Sequence, residues 1–162
     1  MTRRQLLNFL STIGLAPSVA ATATPANAAE SITRLELSDD EWRKRLTPAQ
    51  FDVLRKHGTE RAGTSALNNE KRAGTYHCAG CDLALFSSEA KYDSGTGWPS
   101  FFTALPGHLG TSRDFKMVYP RTEYHCVRCS GHQGHVFDDG PRPSGKRYCN
   151  NGVALRFAPA AA

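Results

Sequence analysis

Two Cys-x-x-Cys pairs, Cys78-Ala79-Gly80-Cys81 and Cys126-Val127-Arg128-Cys129, constrain this chain more than any other feature. A turn with two intervening residues brings both sulfurs to one side. Two such turns supply the four thiolates that tetrahedral Zn²⁺ accepts at about 2.3 Å per bond. The 44 residues between the pairs exceed what a simple zinc ribbon needs. They suit a β-sheet body clasped at two distant points, where the metal contributes to folding in a domain with a small core. The spacing therefore predicts one structural zinc on Cys78, Cys81, Cys126 and Cys129. Two disulfides, or a thiol-disulfide oxidoreductase using Cys78 and Cys81, are the alternatives for an exported chain.

Export is the reading of the N-terminus. Arg3 and Arg4 precede an apolar stretch over 6–23, and Ala26-Asn27-Ala28 follows before Ala29 and Glu30. This is the order of a signal peptide with an A-x-A cleavage site. Ser11, Thr12, Gly14 and Pro17 interrupt the apolar part, so no stable membrane anchor is expected. Residues Thr2 to Leu7 are similar to a twin-arginine signal, which implies bacterial export of a folded protein to the periplasm. That route lets zinc load in the reducing cytoplasm; a general secretory signal with two arginines is the alternative. The expected organisation is a signal peptide over 1–28, a flexible mature N-terminus over 29–36, one domain over 37–157 and a short tail over 158–162.

Composition narrows the class further. With 162 residues, 40% hydrophobic and 22% charged, the chain is one soluble globular domain, neither a charge-dominated disordered segment nor a multispanning membrane protein. The net charge of +5 falls to +3 without Arg3 and Arg4, and no run of five basic residues occurs. Such a balance favours solubility over a nucleic-acid footprint, so no nucleic-acid partner is expected. A zinc-stabilised binding module without chemistry remains compatible with it.

Local signals predict two helices and then short strands. Ser38 with Glu41, and Thr47 with Gln50, are capping boxes; Leu37 and Trp42 suit a hydrophobic staple, Pro48 a first helical position, and His57-Gly58 a stop. From Thr75 onward, Gly, Pro and Asp punctuate β-prone stretches at Leu83 to Phe86, Lys116 to Tyr119, Tyr124 to Val127 and Tyr148 to Phe157. The body reads as mainly antiparallel β.

The fifth cysteine, Cys149, has no sequence partner. Strand periodicity puts Arg147 on its side, where a guanidinium favours the nucleophilic thiolate. His132 and His135 follow the second cysteine turn and are candidates to meet Cys149 as proton donors. Taken alone, a single cysteine is more often inert core, and it is the neighbouring histidines that shift the reading.

Gly97-Trp98-Pro99-Ser100-Phe101, residues Gly134 to Pro143, and Arg147-Tyr148-Cys149-Asn150-Asn151, with both cysteine pairs, resemble the methionine sulfoxide reductase B family from about Leu37 to Phe157. The resemblance implies two antiparallel sheets forming a small barrel-like body, outer N-terminal helices, and a zinc away from the active site. It implies reduction of methionine (R)-sulfoxide, in peptides or proteins, by attack of Cys149 and a sulfenic acid intermediate. His132 and His135 are then the groups that bind and protonate the oxygen, Arg147 favours the thiolate, Asn151 positions substrate, and Trp98 and Phe137 wall the methyl group. Asp138 and Asp139 are expected only to shape a turn. Thr96 stands where many members carry a cysteine that resolves the sulfenic acid. Recycling by an external thiol, thioredoxin-like or other, is the expectation, as is a monomer.

Overall fold

Ser38 and Thr47 start the helices through reciprocal hydrogen bonds visible in the computed structural model, which describes residues 32–161. The leader and its cleavage motif lie outside the described residues. Ser38 N donates to Glu41 Oε2 at 2.8 Å and Glu41 N to Ser38 Oγ at 3.4 Å, opening α1 (Asp39–Arg45). Thr47 N donates to Gln50 Oε1 at 3.0 Å, and Pro48 begins α2 (Pro48–Lys56). His57, not Gly58, adopts the left-handed conformation at the stop, with φ 56°. A Cβ at Gly58 would lie 2.0 Å from the carboxylate of exposed Asp52, which would have to swing aside. Trp42 and Leu54 turn inward, and Leu37 packs against the same core.

The remaining chain forms β1 (Gly74–Cys78), β2 (Ala84–Ser87), β3 (Lys91–Tyr92), β4 (Ser100–Phe101), β5 (Leu109–Asp114), β6 (Arg121–Cys126), β7 (His132–Phe137), β8 (Arg147–Asn150) and β9 (Leu155–Pro159). They build an antiparallel three-stranded sheet, β2-β1-β9, and an antiparallel six-stranded sheet, β3-β4-β8-β7-β6-β5. Aromatic residues from both sheets meet in the core: Phe86 stacks on Phe101 with centroids 4.1 Å apart, and Tyr76 and Tyr124 meet this pair edge-on. Complete burial of a side chain such as Phe86 stabilises by about 1.5–3 kcal/mol.

The expected barrel does not close. The two sheets keep separate edges, with β3 and β5 terminating one and β2 and β9 the other. With two residues each, β3 and β4 offer too few pairs to bridge them. Two strand expectations are also corrected. Lys116 to Tyr119 is the link between β5 and β6, with Val118 92% exposed. Its β-prone side chains find no partner strand there, because Asp114 accepts from Lys116 N and turns the chain, while the polar segment Leu109–Asp114 takes the pairing. The stretch Tyr148 to Phe157 is divided at Gly152–Ala154, a short 3-10 turn, so that β8 and β9 enter different sheets. At the chain ends, Ala158 and Pro159 pair with Thr75 and Gly74, and Leu35 N donates to Arg128 O at 2.6 Å, so order extends beyond 37–157 on both sides.

Candidate active site and metal centre

The two cysteine turns are built alike. Each joins an antiparallel pair, β1 to β2 and β6 to β7, and each follows a register shift between Tyr and His in the repeated run Tyr-His-Cys-x-x-Cys. Asp82 N donates to Cys78 O and Ser130 N to Cys126 O, both at 2.9 Å, with Asp82 and Ser130 at positive φ. This shared geometry aims four sulfurs at one point. Cys78 Sγ lies 3.6 Å from Cys129 Sγ, and Cys81 Sγ 3.4 Å from Cys126 Sγ. A tetrahedron with 2.3 Å metal–sulfur bonds has edges of about 3.8 Å, so the four-sulfur cluster fits a metal ion with little adjustment. Gln133 Nε2, fully buried, donates to Cys78 Sγ at 3.4 Å and supports the ligand shell.

Cys149 lies in the middle of the larger sheet, opposite Ser100 on β4 and His135 on β7. It is a free cysteine facing a cavity of about 120 Å³ lined also by Trp98, His135, Phe137 and Asn151. Trp98 is held by a 3.1 Å bond from Nε1 to Glu60 O. Phe137 lies under the Arg147 guanidinium, 4.3 Å from its ring centroid. Burial raises the Cys149 thiol, while the Arg147 charge and hydrogen bonding from Thr96 and Arg147 pull it down; burial wins. The expected Arg147 effect therefore exists but does not set the resting state, which is the thiol. Asp139 grips Arg147 through two 2.8 Å bonds and shares its charge, so it does more than shape a turn.

Each candidate histidine has its own carboxylate, which sequence reasoning missed. His135 Nε2 lies 2.7 Å from Asp114 Oδ2, and His132 Nδ1 lies 2.8 Å from Glu123 Oε1. Burial lowers both histidines and the carboxylates oppose that shift. Asp114 is held well below the usual carboxylate range by Lys116 N, His135 and Arg121. Against the upward pull of burial, Ser112 and His132 keep Glu123 low. No spacing rule links Asp114 or Glu123 to the histidines, because they meet only through the side-by-side packing of β5, β6 and β7 and the register shift at Tyr124/His125.

The predicted set is not gathered uniformly. His135, Asn151, Trp98 and Phe137 share the Cys149 cavity; His132 instead lines an adjoining cavity of about 380 Å³, with His135 and Arg121. The His132 and His135 rings lie 5.4 Å apart. Asn151 is committed to structure: Oδ1 accepts from Glu60 N and Nδ2 donates to Gln133 O, each at 3.0 Å. It thereby fixes the segment that carries Thr59 and Glu60 beside the cavity.

Two open antiparallel sheets, four clustered cysteines that could hold a metal ion, and a fifth cysteine in an aromatic-walled cleft define a β protein with a candidate metal centre and a candidate nucleophile. Residues 46–159 match the SelR domain, and the chain belongs to this family, that of methionine sulfoxide reductase B. It is 51% identical over 122 residues to the chloroplastic peptide methionine sulfoxide reductase B1 of Arabidopsis thaliana, covering 75% of this chain and 60% of that protein. It is 50% identical to the peptide methionine sulfoxide reductase MsrB of Leptospira interrogans, covering 74% and 92% respectively. The human mitochondrial methionine-R-sulfoxide reductase B2 is likewise 50% identical, with 77% and 73% covered. The chain spans about 60% of the length of the chloroplastic relatives it matches.

Proposed function

We propose that this protein reduces methionine (R)-sulfoxide, in peptides or proteins, to methionine. The observation that carries the reading is Cys149 in register with His135 inside a small cavity walled by Trp98 and Phe137. Cys149 sulfur attacks the sulfoxide sulfur and forms an S–S bond; the protonated oxygen leaves as water, and water then adds to the Cys149 sulfur as the S–S bond breaks, releasing methionine and leaving sulfenic acid, so substrate gains two electrons and the cysteine loses them. The leaving oxygen needs a proton. His135, backed by Asp114, is the nearer donor, and His132, backed by Glu123, lies behind it. Arg147 lowers the cost of the thiolate that burial raises. Asn151 acts by holding the cavity wall. Trp98 and Phe137 offer an apolar surface to the methyl group, which is the basis of choice between epimers.

Thr96, which helps pull the Cys149 thiol down, stands where a cysteine would resolve the sulfenic acid. An external thiol therefore attacks it, releasing water and forming a mixed disulfide that a second thiol reduces. A thioredoxin-like protein or small thiol fills this role, and the reaction repairs oxidised methionine. The four cysteines hold structural zinc, consistent with burial and all-sulfur ligation. The enzyme acts as a monomer without a nucleic-acid partner. Arg3-Arg4 and Ala26-Asn27-Ala28 support twin-arginine export to the periplasm with cleavage after Ala28; no helix among the described residues is long and apolar enough to cross a membrane.

Separated R and S epimers incubated with the protein and a chemical dithiol test the activity. Turnover of the R epimer alone is expected; no turnover of either epimer overturns it.

A further inference from the structure

We propose a second metal site, formed by His57, Glu123 and His132, that takes a borderline divalent transition ion of the Zn²⁺ or Co²⁺ type. His57 Nδ1 and His132 Nδ1 lie 3.5 and 2.8 Å from the same oxygen, Glu123 Oε1. Metal–ligand bonds of about 2.0–2.1 Å separate neighbouring donors by about 2.9–3.4 Å in octahedral or tetrahedral geometry. One donor atom from each residue lies within 4.8 Å of the other two, so small side-chain movements bring the three onto one face of a coordination polyhedron.

Their surroundings meet the other requirements of a metal site. Ser112 Oγ donates to the second Glu123 oxygen, leaving Oε1 to the histidines. His132 is 1% exposed and its Nε2 has no partner among the described residues, so Glu123 is the one hydrogen-bond partner found for that ring. His57 projects from the left-handed end of α2, with its side chain 48% exposed, at the cavity of about 380 Å³. That cavity provides access and room for water on the remaining coordination positions. Two imidazoles and one carboxylate are harder than four thiolates, so this centre binds more weakly and exchanges more readily than the cysteine cluster. Strand and helix packing alone assemble it, from the end of α2, β6 and β7.

Binding has a consequence that rests on the proposed role of His132. An imidazole coordinated through Nδ1 cannot become imidazolium, and it holds its Nε2 proton far more tightly than imidazolium does. Metal at this centre therefore slows sulfoxide reduction.

The test is a Co²⁺ titration of tag-free protein whose four-cysteine centre is loaded, in thiol-free buffer. One further Co²⁺ per chain is expected, with weak visible absorption and no thiolate-to-metal charge-transfer band. His57→Asn, which suits a left-handed backbone, should remove this binding while leaving the fold and cysteine-bound metal intact. No further ion bound, a thiolate band on the second ion, or undiminished binding by His57→Asn overturns the site. Methionine formed in a single turnover without reductant, which avoids chelating thiols, should slow when Zn²⁺ is added to the native protein and not in His57→Asn. A second ion lost in His57→Asn, together with unslowed turnover of the native protein, supports the site and discards the proton-donor reading of His132.

Discussion

Replacing Asp114 by Asn removes a charge from His135 while keeping a side chain of the same shape. Asp114 Oδ2 lies 2.7 Å from His135 Nε2 and 2.6 Å from Arg121 Nη2. The Asp114 and His135 side chains are only 11% and 12% exposed, so solvent screens the contact weakly. Burial lowers His135, and Asp114 is the main group that raises it again. A hydrogen bond to a charged group contributes about 1.5–3 kcal/mol. At about 1.36 kcal/mol per factor of ten, its loss reduces the imidazolium fraction by about 10- to 150-fold on the alkaline side. The working form is protonated, so activity is present below the His135 pKa and lost as pH rises through it. In Asp114→Asn this falling limb moves to lower pH. Single-turnover reduction of the R epimer from about pH 4 to 8 should show the two proteins drawing together at the acid end and already separated below neutrality, since burial holds the native His135 below the ordinary imidazole value. A loss equal at every pH, or no loss, refutes proton delivery by an Asp114-supported His135.

Cys149→Ser should keep its fold and metal but lose essentially all reduction of the R epimer, since a serine hydroxyl is a far weaker nucleophile at neutral pH; near-normal methionine yield in a single turnover refutes the nucleophile. Cys126→Ala should lose metal and unfold, because structural zinc contributes about 10–16 kcal/mol in small peptides, comparable to the whole stability of a domain; elemental analysis and circular dichroism read this out. Without reductant the native protein should form one methionine per chain and leave Cys149 open to a sulfenic-acid probe, whereas Thr96→Cys should give an internal disulfide visible by mass. An intramolecular disulfide to a metal-binding cysteine in the native protein overturns direct recycling. Phe86→Ala, which empties the ring stack on Phe101, should cost about 3–5 kcal/mol in denaturant unfolding; a cost below about 1 kcal/mol contradicts the aromatic core.

Local rules carried the sequence reading. Capping boxes at Ser38 and Thr47, the two cysteine turns and the isolation of Cys149 depend on residues within a few positions of one another, so they determine α1, α2, the hairpin knuckles and the candidate nucleophile without reference to the rest of the chain. The duplicated Tyr-His-Cys-x-x-Cys run was equally legible, although only its cysteines stood out by type. Pairing across the molecule decided everything else. Lys116 to Tyr119 has strand-like residues but no partner, and the stretch Tyr148 to Phe157 is split because the two sheets compete for its halves. The same pairing sets Asp114 against His135 and Glu123 against His132, brings His57 to that second carboxylate, and ties Glu60 to Asn151 across 91 positions. Sequence alone thus singled out Cys149, the two histidines and the four clustered cysteines as candidates, and not the carboxylates beside them. Only the tertiary structure decided their protonation partners and cavities, because burial and charge act through distances in space that strand register creates.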